Sequence, residues 1–443
     1  MTKTALLLLA TLFLNPFPLR GDEPEAAKKR DADVFPRAAA ADLGIDPAAL
    51  EKLRKRAEEA VSDAVVIVKD GRLVADWDFG RERGPIEAMS ATKSIVNLAI
   101  GRLIDSGKIE SLDQPVSDFY PEWKQGRKKL ITVRHLLNHT SGLQNLPITT
   151  LEIYPSPDFV QLALAAELSD DPGSKFAYNN KALNLLAGVV QRASGTRMDR
   201  YIGKEIFEPL GINDFDWTLD KAGNPHGMSG LQIRALDLAK IGQMMLDEGS
   251  WKGKQILSKD WVRKSVEPSQ SLYPIYGLLW WLDRGPARFS VDDAFIKFYK
   301  DRGITAASVA KLEALRNEPV ELAAFYDALR PIVRADEVFN AKLELAYATP
   351  GIPRPILRAD NVFNAKPMEL LEEPPPMKPI VEGPVRSYEA RGYLGQFLVV
   401  IPRDRLVAVR QRRGPDSQRF SKRTFSEFSE MVASLVNKPP AKR

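Results

Sequence analysis

In Ser90-Ala91-Thr92-Lys93 a hydroxyl and an amine stand three residues apart, so if the segment is helical they lie one turn apart on one face. An uncharged amine at that distance can take the hydroxyl proton and leave an activated serine. The residues that follow, Ile95, Val96, Leu98, Ala99, Ile100, Leu103 and Ile104, are apolar on more than one face, the pattern of a helix buried in a domain interior. Burial favours the neutral amine, so Lys93 could serve as a base near neutral pH, and the N–H groups of a helix start could hold a developing oxyanion. Spacing alone does not single out this pair. Ser308-Val309-Ala310-Lys311 has the same spacing, inside an amphipathic stretch, Ala306–Arg316, with Val309, Leu312 and Leu315 on one face.

A serine driven by a lysine needs a second proton carrier and a donor to hold the amine. Tyr178-Asn179-Asn180 offers a phenol and an amide two residues apart, in a loop after Pro172-Gly173 and ahead of a helical stretch. As a bare pattern it equally describes a turn with a packed tyrosine. The other familiar chemistries find less material. With three histidines, His135, His139 and His226, and no Gly-x-Ser-x-Gly elbow, a Ser-His-Asp hydrolase is poorly supplied. His135 and His139 are four apart, yet no glutamate follows His135 and no third ligand stands out, so the reading is metal-free and without a cofactor. The absence of cysteine excludes a disulfide framework, thiol catalysis and cysteine metal sites.

The elements that must carry these groups can be read in chain order. Asp46-Pro47 looks like an N-cap and first-turn proline for a helix with Leu50, Leu53 and Ala57 on one face. The runs 64–68 and 73–77 flank Asp70-Gly71, a tight-hairpin signal. From Ser90 to about residue 265 the periodicity is mostly helical, with segments at Val133–Asn138, Phe159–Leu168, Lys181–Ala193 and Leu236–Leu246. Strand character returns at Tyr276–Leu282, Gln396–Ile401 and Leu406–Arg410, and Phe425, Phe428, Val432 and Leu435 close the chain at helical spacing. Strands near both ends around a helical middle predict an α+β fold: one antiparallel sheet flanked by terminal helices, with an inserted, mainly helical subdomain. Trp280-Trp281 reads first as sheet core and second as a substrate platform.

The length of 443 allows one large domain, expected over 43–437 with its helical lobe at about 90–265 and a short tail, 438–443. Between about 285 and 388 lies an accessory insertion that contains a near-repeat, 331–342 against 355–366. Two units are too few for a solenoid, so this is read as a local duplication forming a lid, a docking surface or a surface elaboration. Lys3, the apolar run Ala5–Leu14 and the turn residues up to Gly21 read as a signal peptide over 1–21, followed by a flexible leader over 22–42. Export to the periplasm or the exterior is the expectation, with no integral membrane span in the mature chain. The net charge of +5, to which Lys3 and Arg20 contribute, is too small and diffuse to argue for nucleic acid.

Ser90–Lys93, Tyr178–Asn180 and the segments Leu136–Leu143, Phe207–Ile212, Met228–Leu231 and Asp237–Gly242 together resemble, in order and spacing, the class C β-lactamase and penicillin-binding-protein-like serine hydrolases. The match runs from about Leu43 to Leu435 apart from the insertion. It implies Ser90 as a nucleophile forming an acyl-enzyme, its own N–H as half of an oxyanion hole, and Lys93 as base or proton relay. It implies Tyr178 as a phenolate or proton shuttle with its pKa lowered by neighbouring cations, and Asn180 as hydrogen-bond partner to Lys93 and substrate. His139 falls in a structural loop. The third motif of the family, Lys-Thr-Gly or His-x-Gly, does not occur; Arg391-Gly392 stands in its place, Arg391 for the positive charge and a nearby N–H for the second oxyanion donor. Arginine cannot give up its proton, so Arg391 could hold a carboxylate but not act as a base. The resemblance thus implies a small-molecule or peptide-like substrate cleaved at an ester, amide or β-lactam carbonyl. A catalytically weak binding or regulatory protein on the same scaffold is the alternative.

Overall fold

The computed structural model describes residues 34–80, 83–146, 149–289, 291–301, 303–316, 320–321, 379–414 and 425–436; the leader 1–21, both near-repeat segments and the tail 438–443 lie outside them. Six strands form one antiparallel sheet: β1 (Ala64–Lys69), β2 (Arg72–Asp78), β3 (Trp281–Asp283), β4 (Ser387–Gly392), β5 (Gln396–Ile401) and β6 (Leu406–Gln411). Their order across the sheet is β2-β1-β6-β5-β4-β3, so the two ends of the chain meet where β1 pairs with β6. The β1–β2 hairpin turns at Asp70 and Gly71, both with positive φ, as the Asp-Gly pair predicts.

The helices that bear on the site are α1 (Pro47–Glu59), α2 (Thr92–Asp105), α3 (Ala235–Leu246), α4 (Lys259–Ser265) and α5 (Phe428–Ala433). Asp46 caps α1 by accepting from the Ala48 N–H at 2.9 Å. Strand alternation then splits the interior in two. Val65, Ile67, Phe397, Val399, Ile401 and Ala408 face α1 and α5 through Leu53, Ala57, Phe428 and Val432. Val66, Val68, Leu398, Val400, Val407 and Val409 belong to the larger core that continues into the helical lobe and takes in α2 and α3.

Three boundaries differ from the sequence reading, each for a physical reason. Packing takes in residues ahead of Leu43: Phe35 is buried edge-on against Trp251, and the backbone of Pro36 and Ala38 bonds with Leu73, covering the open edge of β2. The apolar run Tyr276–Leu282 is a strand only from Trp281, because Leu279 takes a left-handed φ of 61° and the Gly277 N–H closes a turn on the Trp280 carbonyl. The C-terminal helix keeps only Phe428–Ala433, with Phe425 and Leu435 buried outside it. The rival serine, Ser308, sits in the first turn of the helix Ala306–Ala314, where its N–H bonds the capping Thr305 hydroxyl.

Helix α2 is buried along nearly its whole length, and at Gly101 it lies close against α4. A Cβ there would lie 2.1 Å from the indole nitrogen of Trp261 on α4, which is itself tied to Asn97 of α2 at 3.3 Å. Gly101→Val should therefore lower stability by about 2 kcal/mol through overpacking, read as a fall in thermal midpoint. An unchanged midpoint would mean that α2 and α4 are not in close contact.

Candidate active site

Ser90 lies in a 3₁₀ turn, Met89–Ala91, that runs directly into α2. Met89, just before it, holds a left-handed φ of 49°, a conformation that costs a non-glycine residue roughly 1–2 kcal/mol and so needs support from its surroundings. The support comes from both sides: the Ala88 N–H bonds the Leu231 carbonyl at 2.8 Å, and the end of β4 presses on the turn at Gly392. A Cβ at position 392 would stand 2.4 Å from the Ala88 carbonyl oxygen and 3.0 Å from Met89 Cβ, so only glycine lets the strand come this close.

Lys93 Nζ is 2.9 Å from Ser90 Oγ and donates to the Met228 carbonyl at 2.7 Å. The residue is 1% exposed, and burial pulls its amine down to about 7. Near neutral pH the uncharged amine is thus within reach, with an N–H on Met228 and its lone pair free to face the serine O–H. The Tyr178 hydroxyl interacts with that of Ser90, and its ring lies 5.0 Å from Lys93 Nζ. Its phenol is pushed up to about 12 by burial, only partly offset by the bond to Ser90. The direction is opposite to the lowering that the family resemblance implies, because burial of the ring disfavours the phenolate.

Asn180 also departs from expectation. Its Oδ1 is buried and accepts no hydrogen bond, so it does not take the one from Lys93; the Met228 carbonyl, which the sequence reading missed, does. A backbone acceptor leaves no signature in side-chain types. His139 is buried at a φ of 59°, accepts the Asn179 N–H on Nδ1 at 3.1 Å and lies 4.4 Å, ring to ring, from Tyr178. Burial, then the charge of Lys93, holds its pKa well below the usual histidine range. His135 serves elsewhere: its Nδ1 accepts the Thr132 N–H in a capping box.

The strand end brings in Arg391 and a residue not foreseen. Arg391 Nε bonds Glu389 Oε2 at 2.7 Å; the Glu389 side chain is 1% exposed and that of Arg391 45%. The guanidinium lies 5.7 Å over the ring of Trp281, and Trp281 stacks on Tyr178 at 5.9 Å. The tryptophan pair therefore divides: Trp280 is fully buried core and Trp281 is a wall of the site. The structure brings Ser90, Lys93 and Tyr178 into contact, seats Gly392 on the serine turn and keeps Arg391 at the rim. Among the described residues no cluster of three or more metal-binding side chains occurs, and no helix is long and apolar enough to cross a membrane.

Comparison with known proteins bears on this arrangement. Residues 48–415 match a family model described as Beta-lactamase. The 6-aminohexanoate-dimer hydrolase of Paenarthrobacter ureafaciens is 26% identical over 269 residues, covering 54% of this chain and 66% of that protein. Esterase EstB of Burkholderia gladioli is 31% identical over 193 residues, covering 37% of this chain and 48% of that one. The chain thus spans about half to two thirds of the length of these two curated relatives. A penicillin-binding protein homologue from Caulobacter crescentus shares the fold, with a TM-score of 0.51 at 16% identity over 88% of this chain and 99% of that one.

The buried amine fixes a pH dependence. Below about 7 Lys93 is an ammonium with no lone pair for the Ser90 proton; above it the neutral form prevails. Labelling of Ser90 by a fluorophosphonate should rise with pH through about 7 and then level off, and Lys93→Arg, which cannot deprotonate, should abolish the rise. A rate that is flat between about pH 5 and 9 would contradict the assignment of Lys93 as base.

Proposed function

This chain belongs to the beta-lactamase family, and from that premise we propose that it is an exported serine hydrolase opening an ester, amide or β-lactam carbonyl through an acyl-enzyme on Ser90. The observation that carries the proposal is the 2.9 Å contact between the Ser90 hydroxyl and a lysine amine shut away from water. Ser90 Oγ attacks the carbonyl carbon while its proton passes to Lys93 Nζ, giving a tetrahedral intermediate. Its oxyanion is held by the Ser90 N–H and an N–H near Gly392 at the end of β4. Collapse expels the leaving group, which takes a proton from Lys93 through the neutral Tyr178 phenol. Water then attacks the acyl carbon as its proton passes to Lys93 along the same route; the second tetrahedral intermediate collapses, Ser90 Oγ leaves and takes up that proton, and the acid is freed. Asn180 Oδ1, buried without a protein partner, suits an N–H of the substrate. The signal-like segment 1–21 supports export.

The hydrolases named among the relatives, one acting on an amide-linked dimer and one an esterase, support the reaction class. A second reading, a weakly active binding protein on this scaffold, draws on the tie between Arg391 and Glu389, which occupies the strand end where the third motif belongs. Turnover of a 4-nitrophenyl ester that disappears in Ser90→Ala counts against it.

A fluorophosphonate or fluorescent penicillin should label the wild-type protein and Ser308→Ala but not Ser90→Ala, with the adduct located by mass spectrometry. Lys93→Ala and Tyr178→Phe should each slow acylation about a hundredfold or more if they carry protons. Label on Ser90→Ala would remove the proposal.

A further inference from the structure

We infer that Glu389 determines the substrate class of this site: by engaging Arg391 it selects neutral esters or amides over substrates that carry a carboxylate close to the reacting carbonyl. The inference rests on the hydrolase reading above and narrows it. Strand alternation puts Glu389 and Arg391, two residues apart on β4, on the same face of the sheet. Their 2.7 Å contact joins a carboxylate that is almost wholly buried to a guanidinium that is nearly half exposed. The pair is close to neutral overall, so a second carboxylate brought to the remaining guanidinium N–H groups meets little net positive charge, and pulling the guanidinium away would strip the buried carboxylate of its counter-charge, the costly half of breaking an ion pair.

The geometry around Arg391 points the same way. Its guanidinium also rests over Trp281, a contact that holds the arginine at the strand end beside Glu389. The neighbouring cation, Lys93, has its amine engaged by Ser90 and the Met228 carbonyl and is needed neutral for the reaction. A carboxylate brought to the serine therefore meets a strand end whose charges already cancel. What the site does offer is aromatic surface: Trp281 stacked on Tyr178, and Tyr393, 58% exposed, one residue beyond the glycine that touches the serine turn. Such a surface suits a flat or apolar group beside the scissile bond.

Methyl 3-acetoxybenzoate and 3-acetoxybenzoate differ only in whether the leaving phenol carries an ester or a carboxylate. With each rate normalised to hydroxide hydrolysis, the wild-type protein should favour the neutral ester in kcat/KM by about tenfold, and Glu389→Gln should raise the carboxylate ester about fivefold while moving the neutral one less than about twofold. Arg391→Met, which avoids a change at the buried position, should leave the carboxylate ester no worse than in wild type. The inference is overturned if wild type handles both esters alike, if a folded Glu389→Gln keeps the wild-type ratio, or if Arg391→Met selectively costs the carboxylate ester fivefold or more, again on the scale of one exposed ion pair. Each of these leaves Ser90 turnover intact, so it strikes specificity alone; loss of Ser90-dependent cleavage of both esters would overturn the hydrolase reading as well.

Discussion

The structure is organised around the removal of one amine from water. Moving Lys93 from 10.5 to about 7 costs on the order of 5 kcal/mol at pH 7, since each unit is worth about 1.4 kcal/mol. A cost of that size must be met locally. Ile95, Val96, Leu98 and Ile100 are fully buried on the same helix and contribute roughly 1.5–3 kcal/mol each, so the segment that carries the amine stabilises the fold despite it. The linkage has a definite sign. Between about 7 and 10.5 the unfolded chain holds a proton on this lysine that the folded chain has released, so the group makes stability rise with pH across that window. The same desolvation that weakens the fold at neutral pH supplies the base.

Around that amine several residues keep backbone conformations that nothing in their side chains favours. Met89, His139, Leu279 and Leu394 all have positive φ, and each is pinned by neighbours. The Leu279 N–H bonds the Leu137 carbonyl at 2.9 Å and its own carbonyl takes the Ser94 hydroxyl at 2.6 Å, tying the turn before β3 to α2 one residue after Lys93. Leu394 lies in the short turn after Gly392, where the buried Arg410 donates to the Leu394 and Gly395 carbonyls at 3.0 and 2.6 Å. Burial lowers the Arg410 pKa to about 9, which still leaves it charged at neutral pH. The strain at the serine turn is therefore held by contacts from β4, the 228–231 segment and α2 together, rather than by its own sequence.

How much of this could be read from the sequence follows from the range of each interaction. The Asp46-Pro47 cap, the Asp-Gly hairpin and the strand character of Gln396–Ile401 and Leu406–Arg410 are local, and they stand where the sequence put them. Ser90 and Lys93 are also local to each other, being one turn apart. Tyr178 was legible as a candidate, but its protonation was not, because desolvation depends on what covers it: His139 from one segment, and Tyr276 and Trp281 from another far along the chain. The Met228 carbonyl was invisible for a different reason, since every residue type carries that acceptor. Glu389 could have been suspected from its place two residues before Arg391 on one strand face, had the strand register been fixed first.

The position of the long segment between β3 and β4 explains how the site tolerates it. Asp283 and Ser387 are direct partners across the two strands, Arg386 donates from its N–H to the Asp283 carbonyl at 2.7 Å, and its guanidinium pairs with the Asp283 carboxylate at 2.8 Å. The chain thus leaves the sheet and returns to it at adjacent points, as a hairpin would, whatever lies between. Closing such a loop costs an entropy that grows only with the logarithm of its length, about 0.6 kcal/mol per doubling, so a long excursion there is nearly as cheap as a short one. An insertion between Gly392 and β5 would differ in kind, because the turn at Leu394 sets how closely the strand end meets Ala88 and Met89. The sheet edge is where this fold can vary in length; the turn beside the serine is where it cannot.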